Sequence, residues 1–125
     1  MREIEFRAIF DGEWVFGSLD TSGKSKYIFE KGTEIAYQIE DDNTIGQYTG
    51  LKDKNGVKIF EGDIILWPSD TNVYAVVYIT EVASFVGRCK TKNDFEYLDN
   101  GIGENQSLKV IGNIHDNPEI LEAAK

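Results

Sequence analysis

The side chains of this chain whose types suit chemistry are its twenty-two acids, one cysteine, one histidine and a run of aromatics in the second half. Glu40-Asp41-Asp42 offers consecutive carboxylates, and hard cations such as Mg²⁺ and Ca²⁺ take oxygen ligands. A calcium loop, however, spaces its ligands on alternate residues and turns on a glycine at the sixth position. Asp53-Lys54-Asn55-Gly56 begins that pattern and fails it, because its sixth residue is Lys58. Both segments read as turns, and neither a metal nor a cofactor is expected. Cys89 and His115 are the one cysteine–histidine combination available to covalent catalysis. A lone cysteine among strand residues is more often a small buried hydrophobe. His115 directly precedes Asp116-Asn117-Pro118, where a turn favours polar residues anyway. The chain has no Gly-x-Ser-x-Gly elbow, no phosphate-binding loop and no dinucleotide glycine pattern. With one histidine, acid–base schemes would rest on paired carboxylates, and no pair is singled out by spacing. The expectation is that the protein is not an enzyme and has no catalytic residues.

The aromatics are the remaining resource. Tyr74, Tyr78, Phe95 and Tyr97, with Phe85 between them, could form a stacking platform on a sheet, as oligonucleotide binders use. Such a platform works with a positive groove, and this chain carries a net charge of −9. Alternating aromatics on a strand are more often core or cross-strand pairs. The same four residues suit a protein-binding patch, since tyrosine is favoured at interface hot spots. They are the candidate binding residues.

The charge is spread. Residues 1–62 carry 8 Lys and Arg against 12 Asp and Glu, and residues 63–125 carry 5 against 10. The basic clusters Lys24/Lys26, Lys52/Lys54/Lys58 and Arg88/Lys90/Lys92 are interrupted by turn residues. Affinity for nucleic acid comes mainly from Lys and Arg on phosphate, so this composition disfavours a nucleic-acid partner. The longest apolar run, around Tyr74 to Ile79, is too short to span a bilayer. Met1-Arg2-Glu3 opens without a basic or apolar leader, so no signal peptide is expected, and Asn105-Gln106-Ser107 reads as an accidental glycosylation sequon. The single cysteine cannot make an internal disulfide.

Elements of a mostly β fold must position these residues. Ile, Val and Thr number 29 against 12 Ala and Leu, and twelve glycines are spaced along the chain. Branching at Cβ restricts rotamers in a helix and packs well on a pleated sheet. Ile4, Phe6 and Ala8 alternate with Glu3, Glu5 and Arg7, which predicts a half-buried strand. Asp11-Gly12 signals a type I′ hairpin into Trp14-Val15-Phe16. Ser18 to Lys26 reads as an exposed loop, Tyr27 to Phe29 and Ile35 to Ile39 as strands, and Glu40 to Asn43 as an acidic turn. Ile45 to Leu51 is strand-like, and Asn55-Gly56 supplies a left-handed pair for the next hairpin. Ile64 to Trp67 and Val73 to Val82 are strands, with Phe85-Val86 continuing the second or starting another. Asp94 to Gly103 reads as a loop and Leu108 to Ile114 as the last strand. Asn117-Pro118-Glu119 is a helix start: a capping side chain, a proline at the first helical position and an acid at the positive dipole end. That short helix must dock through Ile120 and Leu121.

Three blocks resemble the YopX family: Arg2-Glu3-Ile4-Glu5-Phe6-Arg7-Ala8; Gly46-Gln47-Tyr48-Thr49-Gly50-Leu51-Lys52-Asp53-Lys54-Asn55-Gly56, leading into Ile59-Phe60-Glu61-Gly62-Asp63-Ile64-Ile65; and Val110-Ile111-Gly112-Asn113-Ile114-His115-Asp116-Asn117-Pro118-Glu119-Ile120-Leu121. They span about half the chain, and the middle block is specific. Many members carry Trp-Asp after the Arg-Ala pair where this chain has Ile9-Phe10-Asp11, a swap that keeps an apolar residue and the turn. The resemblance implies phage or prophage origin, a host-cytoplasmic setting and a mostly β fold, and it carries no catalytic residues. Glu61-Gly62-Asp63-Ile64-Ile65 before a long strand also resembles the opening of SH3-like barrels, which speaks to fold alone.

The expected architecture is one domain over residues 1–125, mainly antiparallel β. It would comprise an N-terminal β part over 1–45, a small SH3-like barrel over 46–118 and a short C-terminal helix. The expected function is a non-enzymatic binding module, a phage accessory protein acting on a host or phage protein. The alternatives are a nucleic-acid-binding small barrel and an enzyme with a carboxylate site. Free strand edges also leave room for a homo-oligomer.

Overall fold

A computed structural model describes residues 3–67, 72–89, 94–98 and 108–123. The chain is mainly antiparallel β with one short C-terminal helix, and divides into two compact units, residues 1–48 and 49–125.

The first unit is built from β1 (Phe6–Phe10), β2 (Glu13–Asp20), β3 (Lys26–Phe29), β4 (Ala36–Ile39) and the start of β5 (Gly46–Lys52), in the sheet order β4-β3-β2-β1-β5. Asp11 and Gly12 take φ of 52° and 81°, the pair of left-handed residues that a tight β1–β2 hairpin demands. Register then decides the faces. Ala8 stands opposite Val15 and Leu19 opposite Ile28, and this face packs the core of Ala8, Ile28 and Ile39 with Phe6, Tyr37 and Ile45 against it. The other face sets Arg7 opposite Phe16, Ile9 opposite Trp14, Ser18 opposite Phe29 and Asp20 opposite Tyr27.

The expected loop at 18–26 begins later than its polar composition suggests. β2 runs on to Asp20 because Leu19 finds a buried partner across the sheet in Ile28. Asp20 then closes the turn by accepting hydrogen bonds from the backbone N–H and the hydroxyl of Ser22, at 2.8 and 2.7 Å. The acidic turn after β4 is a single 3-10 turn, Asp42–Thr44, capped by the Asp41 carboxylate, which accepts from the Asn43 N–H at 3.0 Å. Asp42 pairs with Lys26.

The second unit adds β6 (Lys58–Phe60), next to the end of β5, and β7 (Asp63–Leu66), β8 (Val73–Ile79), β9 (Ser84–Cys89), β10 (Asp94–Tyr97), β11 (Lys109–Asn113) and α1 (Pro118–Ala123). The last five strands form an antiparallel sheet in the order β10-β9-β8-β7-β11. Its core is larger: Ile59, Ile65, Tyr74, Val76, Cys89, Leu98 and Leu108, with Leu51, Trp67, Phe85 and Val110 against it. Gly87 is fitted to this core, since an added Cβ would stand 3.1 Å from the Tyr74 Cβ.

Three local readings change. The long strand expected over 73–82 stops at Ile79; Thr80–Val82 form a 3-10 turn and Ala83 takes a φ of 51°, which reverses the chain into β9. Residues 94–97, expected in a loop, form β10, because a hairpin partner supplies backbone hydrogen bonds whatever the side-chain polarity, as Asp94 pairs with Cys89 and Tyr97 with Val86. Residues 99–103 of that reading lie outside the described residues. In the turn after β5 only Gly56 has positive φ, at 80°; Asn55 does not. The Gly56 N–H donates to the Asp53 carbonyl and the Asp53 N–H to the Val57 carbonyl, so a glycine bulge replaces a left-handed pair.

Two buried carboxylates organise the second unit. One Asp53 oxygen accepts from Asn55 and Val57 at 2.8 and 2.9 Å, and the other from Val110 at 3.0 Å, tying the hairpin to β11. Burial works against ionising Asp53, but the three amides and the Lys109 charge outweigh it and hold the carboxyl below the usual aspartate value. Asp63, 2% exposed, accepts from the Phe60 N–H at 2.7 Å and fixes the β6–β7 turn. The helix begins at Pro118 as expected, but the expected side-chain cap is not what Asn117 supplies: its backbone carbonyl accepts from the Ile120 N–H at 3.1 Å. The Asn117 side-chain oxygen accepts from the Asn113 N–H at 3.3 Å, and a Cβ on Gly112 would lie 2.7 Å from that oxygen, so a larger residue there would have to displace the Asn117 side chain. Ile120 and Leu121 are half-buried, and α1 packs against β8.

Candidate functional site: an acidic, aromatic cleft on the N-terminal unit

β2 pairs with β3 only over Ser18–Asp20. Beyond Phe29 the chain leaves β2 in a turn over residues 30–35, closed by the Glu30 N–H donating to the Ile35 carbonyl at 3.0 Å and reversed at Gly32, whose φ is 79°. Where the strands part, an open cleft of about 340 Å³ is lined by Glu5, Glu13, Glu30, Trp14, Phe16 and Tyr37, with Val15 and Lys31. That volume lies in the range of small-ligand and side-chain pockets.

Its walls are held from behind. The Phe10 and Tyr37 rings pack at 5.1 Å between centroids. The Arg7 guanidinium stands 4.3 Å from the centre of the Trp14 ring, a cation–π contact that fixes the indole from one side. The Tyr37 hydroxyl donates to the Glu30 carboxylate at 3.5 Å. Desolvation first, then the charges and hydrogen bond of Glu30 and the charge of Glu13, push the Tyr37 hydroxyl above its ordinary value. Two carboxylates therefore act on one phenol, in a cleft whose lining includes Lys31 as its cation. An acidic lining of this kind attracts positive charge, and its aromatic residues are of the type on which cations stack.

The four aromatics singled out from sequence are placed elsewhere. Tyr74 is 1% exposed, its ring edge-on to Trp67 at 5.0 Å in the core of the second unit. Tyr78 is 47% exposed and packs edge-on to Phe85 at 5.1 Å. Phe95 and Tyr97 lie in β10, but their side chains lie outside the described residues. β9 runs between β8 and β10, which separates the two pairs. Cys89 is buried in the core, and the His115 N–H donates to the Asn113 side chain at 3.0 Å in the turn before α1. Among the described residues, no three of His, Cys, Asp and Glu are grouped to hold a metal ion, and no helix is long and apolar enough to cross a membrane. Sequence reasoning passed over the cleft because its residues come from three separated segments. The local signal was Glu13-Trp14-Val15-Phe16, two aromatics on one face of a strand beside an acid.

Residues 6–122 match the YopX protein family model, nearly the whole chain. The chain belongs to the YopX family. The match reaches into both units: the second unit's buried carboxylates and every cleft residue but Glu5 lie within it. The fold is similar to the crystal structure of protein EF1440 from Enterococcus faecalis, at a TM-score of 0.55 and 27% identity, over 97% of this chain and 99% of that one. No curated protein matches the chain.

Proposed function

We propose that this YopX protein is a non-enzymatic binding module, a phage-encoded accessory protein that acts in the host cytoplasm on a host or phage protein. The observation that carries the reading is the outward face of the N-terminal sheet. Phe16 and Phe29, each 43% exposed, stand there with half-buried Trp14 and Tyr27. Aromatics on a surface strand are costly in water and are the residues that dominate protein interfaces. Phage origin and the cytoplasmic setting come from the resemblance to the YopX family. In the second unit, β7 to β10 form a meander and β11 returns beside β7, an antiparallel order that a small barrel can be built from. This supports a small-barrel scaffold for the second unit. The net charge of −9 favours a protein over a nucleic acid as partner.

A photo-crosslinking residue at Phe29, in the full chain expressed in the host, tests the reading. The expected result is one adduct that excess unlabelled protein competes away and a Phe16→Ser/Phe29→Ser variant does not. Adducts identical to those from a crosslinker at Asn55, or equal competition by both proteins, would overturn it.

A further inference from the structure

We infer that the cleft between β2 and the 30–35 turn receives an arginine side chain from a basic segment of the partner, a deepening that rests on the binding-module reading. Three observations converge. The cleft is an open depression of about 340 Å³, larger than one side chain and accessible to an incoming segment. Its lining includes three acidic residues, Glu5, Glu13 and Glu30, and three aromatic ones, Trp14, Phe16 and Tyr37. The surrounding unit deepens the field: residues 1–48 carry five Lys and Arg against ten Asp and Glu. Of those five, Arg7 is 7% exposed and set over Trp14, and Lys26 is paired with Asp42.

The chemistry selects guanidinium over ammonium. A planar guanidinium forks onto carboxylates and stacks on aromatic faces, whereas a lysine ammonium is a compact, strongly hydrated charge that does only the first well. The molecule already makes the stacking contact internally, with Arg7 on the Trp14 ring. Phe16 contributes to the cleft and to the exposed aromatic face alike, so a partner covering that face brings its own side chains to the cleft. A second copy of this chain is a poor occupant, because it presents the same excess of negative charge.

The test is titration of the full-length protein with a short peptide of glycine, serine and arginine, against the same peptide with lysine, followed by calorimetry. Binding is expected to saturate, to weaken with added salt, and to be several-fold tighter for arginine. Glu13→Gln/Glu30→Gln is expected to lose about tenfold in affinity. A charge-matched control, Glu81→Gln/Glu96→Gln on the other unit, is expected to bind like wild type. Equal losses in the two double variants would show diffuse attraction and overturn the proposal, as would equal affinity for the two peptides or no binding of either. If the arginine peptide fails while the Phe29 adduct survives, the cationic occupant is wrong and the binding module stands. If the adduct fails too, both fall.

Discussion

The two units of this YopX protein use a similar stock of residues in opposite ways. The second puts seven buried side chains into one core and turns two carboxylates inward, where Asp53 and Asp63 satisfy backbone N–H groups. The first centres its core on three, Ala8, Ile28 and Ile39, and leaves Phe10, Phe16, Phe29 and Ile35 at least 40% exposed. Its glutamates face a cleft instead of the backbone. An acid that accepts three amides is part of the fold, whereas the Glu30 carboxylate accepts from the side chains of Thr33 and Tyr37 and, among the described residues, from no backbone N–H. Under the proposed function, this contrast makes the second unit the scaffold and the first the recognition unit.

Core substitutions test that division most strongly. Ile65 and Ile28 are both fully buried, but Ile65 sits in the larger cluster. Ile65→Ala is expected to cost about 4 kcal/mol and Ile28→Ala about 2.5 kcal/mol, since a cavity in a smaller core collapses more readily. Urea unfolding measures both, and equal losses would remove the distinction between the cores.

Gly17→Ala probes the first unit alone. An added Cβ would stand 1.9 Å from the Phe29 carbonyl oxygen, and that atom is backbone, so β2 and β3 must separate. The expected cost is about 3 kcal/mol. Amide hydrogen exchange should show protection falling first in β2 and β3. Loss concentrated in β7 and β8 would contradict the picture of two separately built cores.

Asp53→Ala probes the second unit's inward use of charge. It leaves three N–H groups without their acceptor and is expected to cost about 2 kcal/mol, softened by solvent access at the turn. The effect is pH-dependent. The carboxyl is held below its ordinary 3.8, so the unfolded chain binds the proton first as acid is added. Its contribution is complete above that value and disappears as pH falls through the lower folded value. Unfolding midpoints should therefore drop more steeply in acid for wild type than for the variant, and parallel curves would refute the role.

How much of this could be read beforehand follows from the range of each signal. The Asp11-Gly12 hairpin, the alternation of β1 and the Asn117-Pro118 helix start are local, and the residues themselves specify them. The role of Asp53 was half visible: its spacing excluded a calcium loop, but the bond to Val110, fifty-seven positions on, is a product of the fold. Tyr74 and Tyr78 alternate as a surface pair would. Burial separates them, because only the first faces Trp67 and the core. The cleft left the faintest trace, as Glu13, Glu30 and Tyr37 meet only through strand pairing.

The smallest expected effect bears on the cleft itself. Glu30→Gln removes the nearest charge from the Tyr37 hydroxyl but leaves the desolvation that is the first cause of its raised value. The phenol should therefore titrate at lower pH in the variant while remaining above an ordinary tyrosine. Selective labelling of tyrosine, read by NMR through the alkaline range, separates Tyr37 from the other five. Glu13→Gln should move it in the same direction by less, because Glu13 acts through charge alone and is the last of the causes. If neither substitution moved Tyr37, the carboxylates would not share a field there, and the cleft would lose the electrostatic character that sets it apart from the second unit's inward acids.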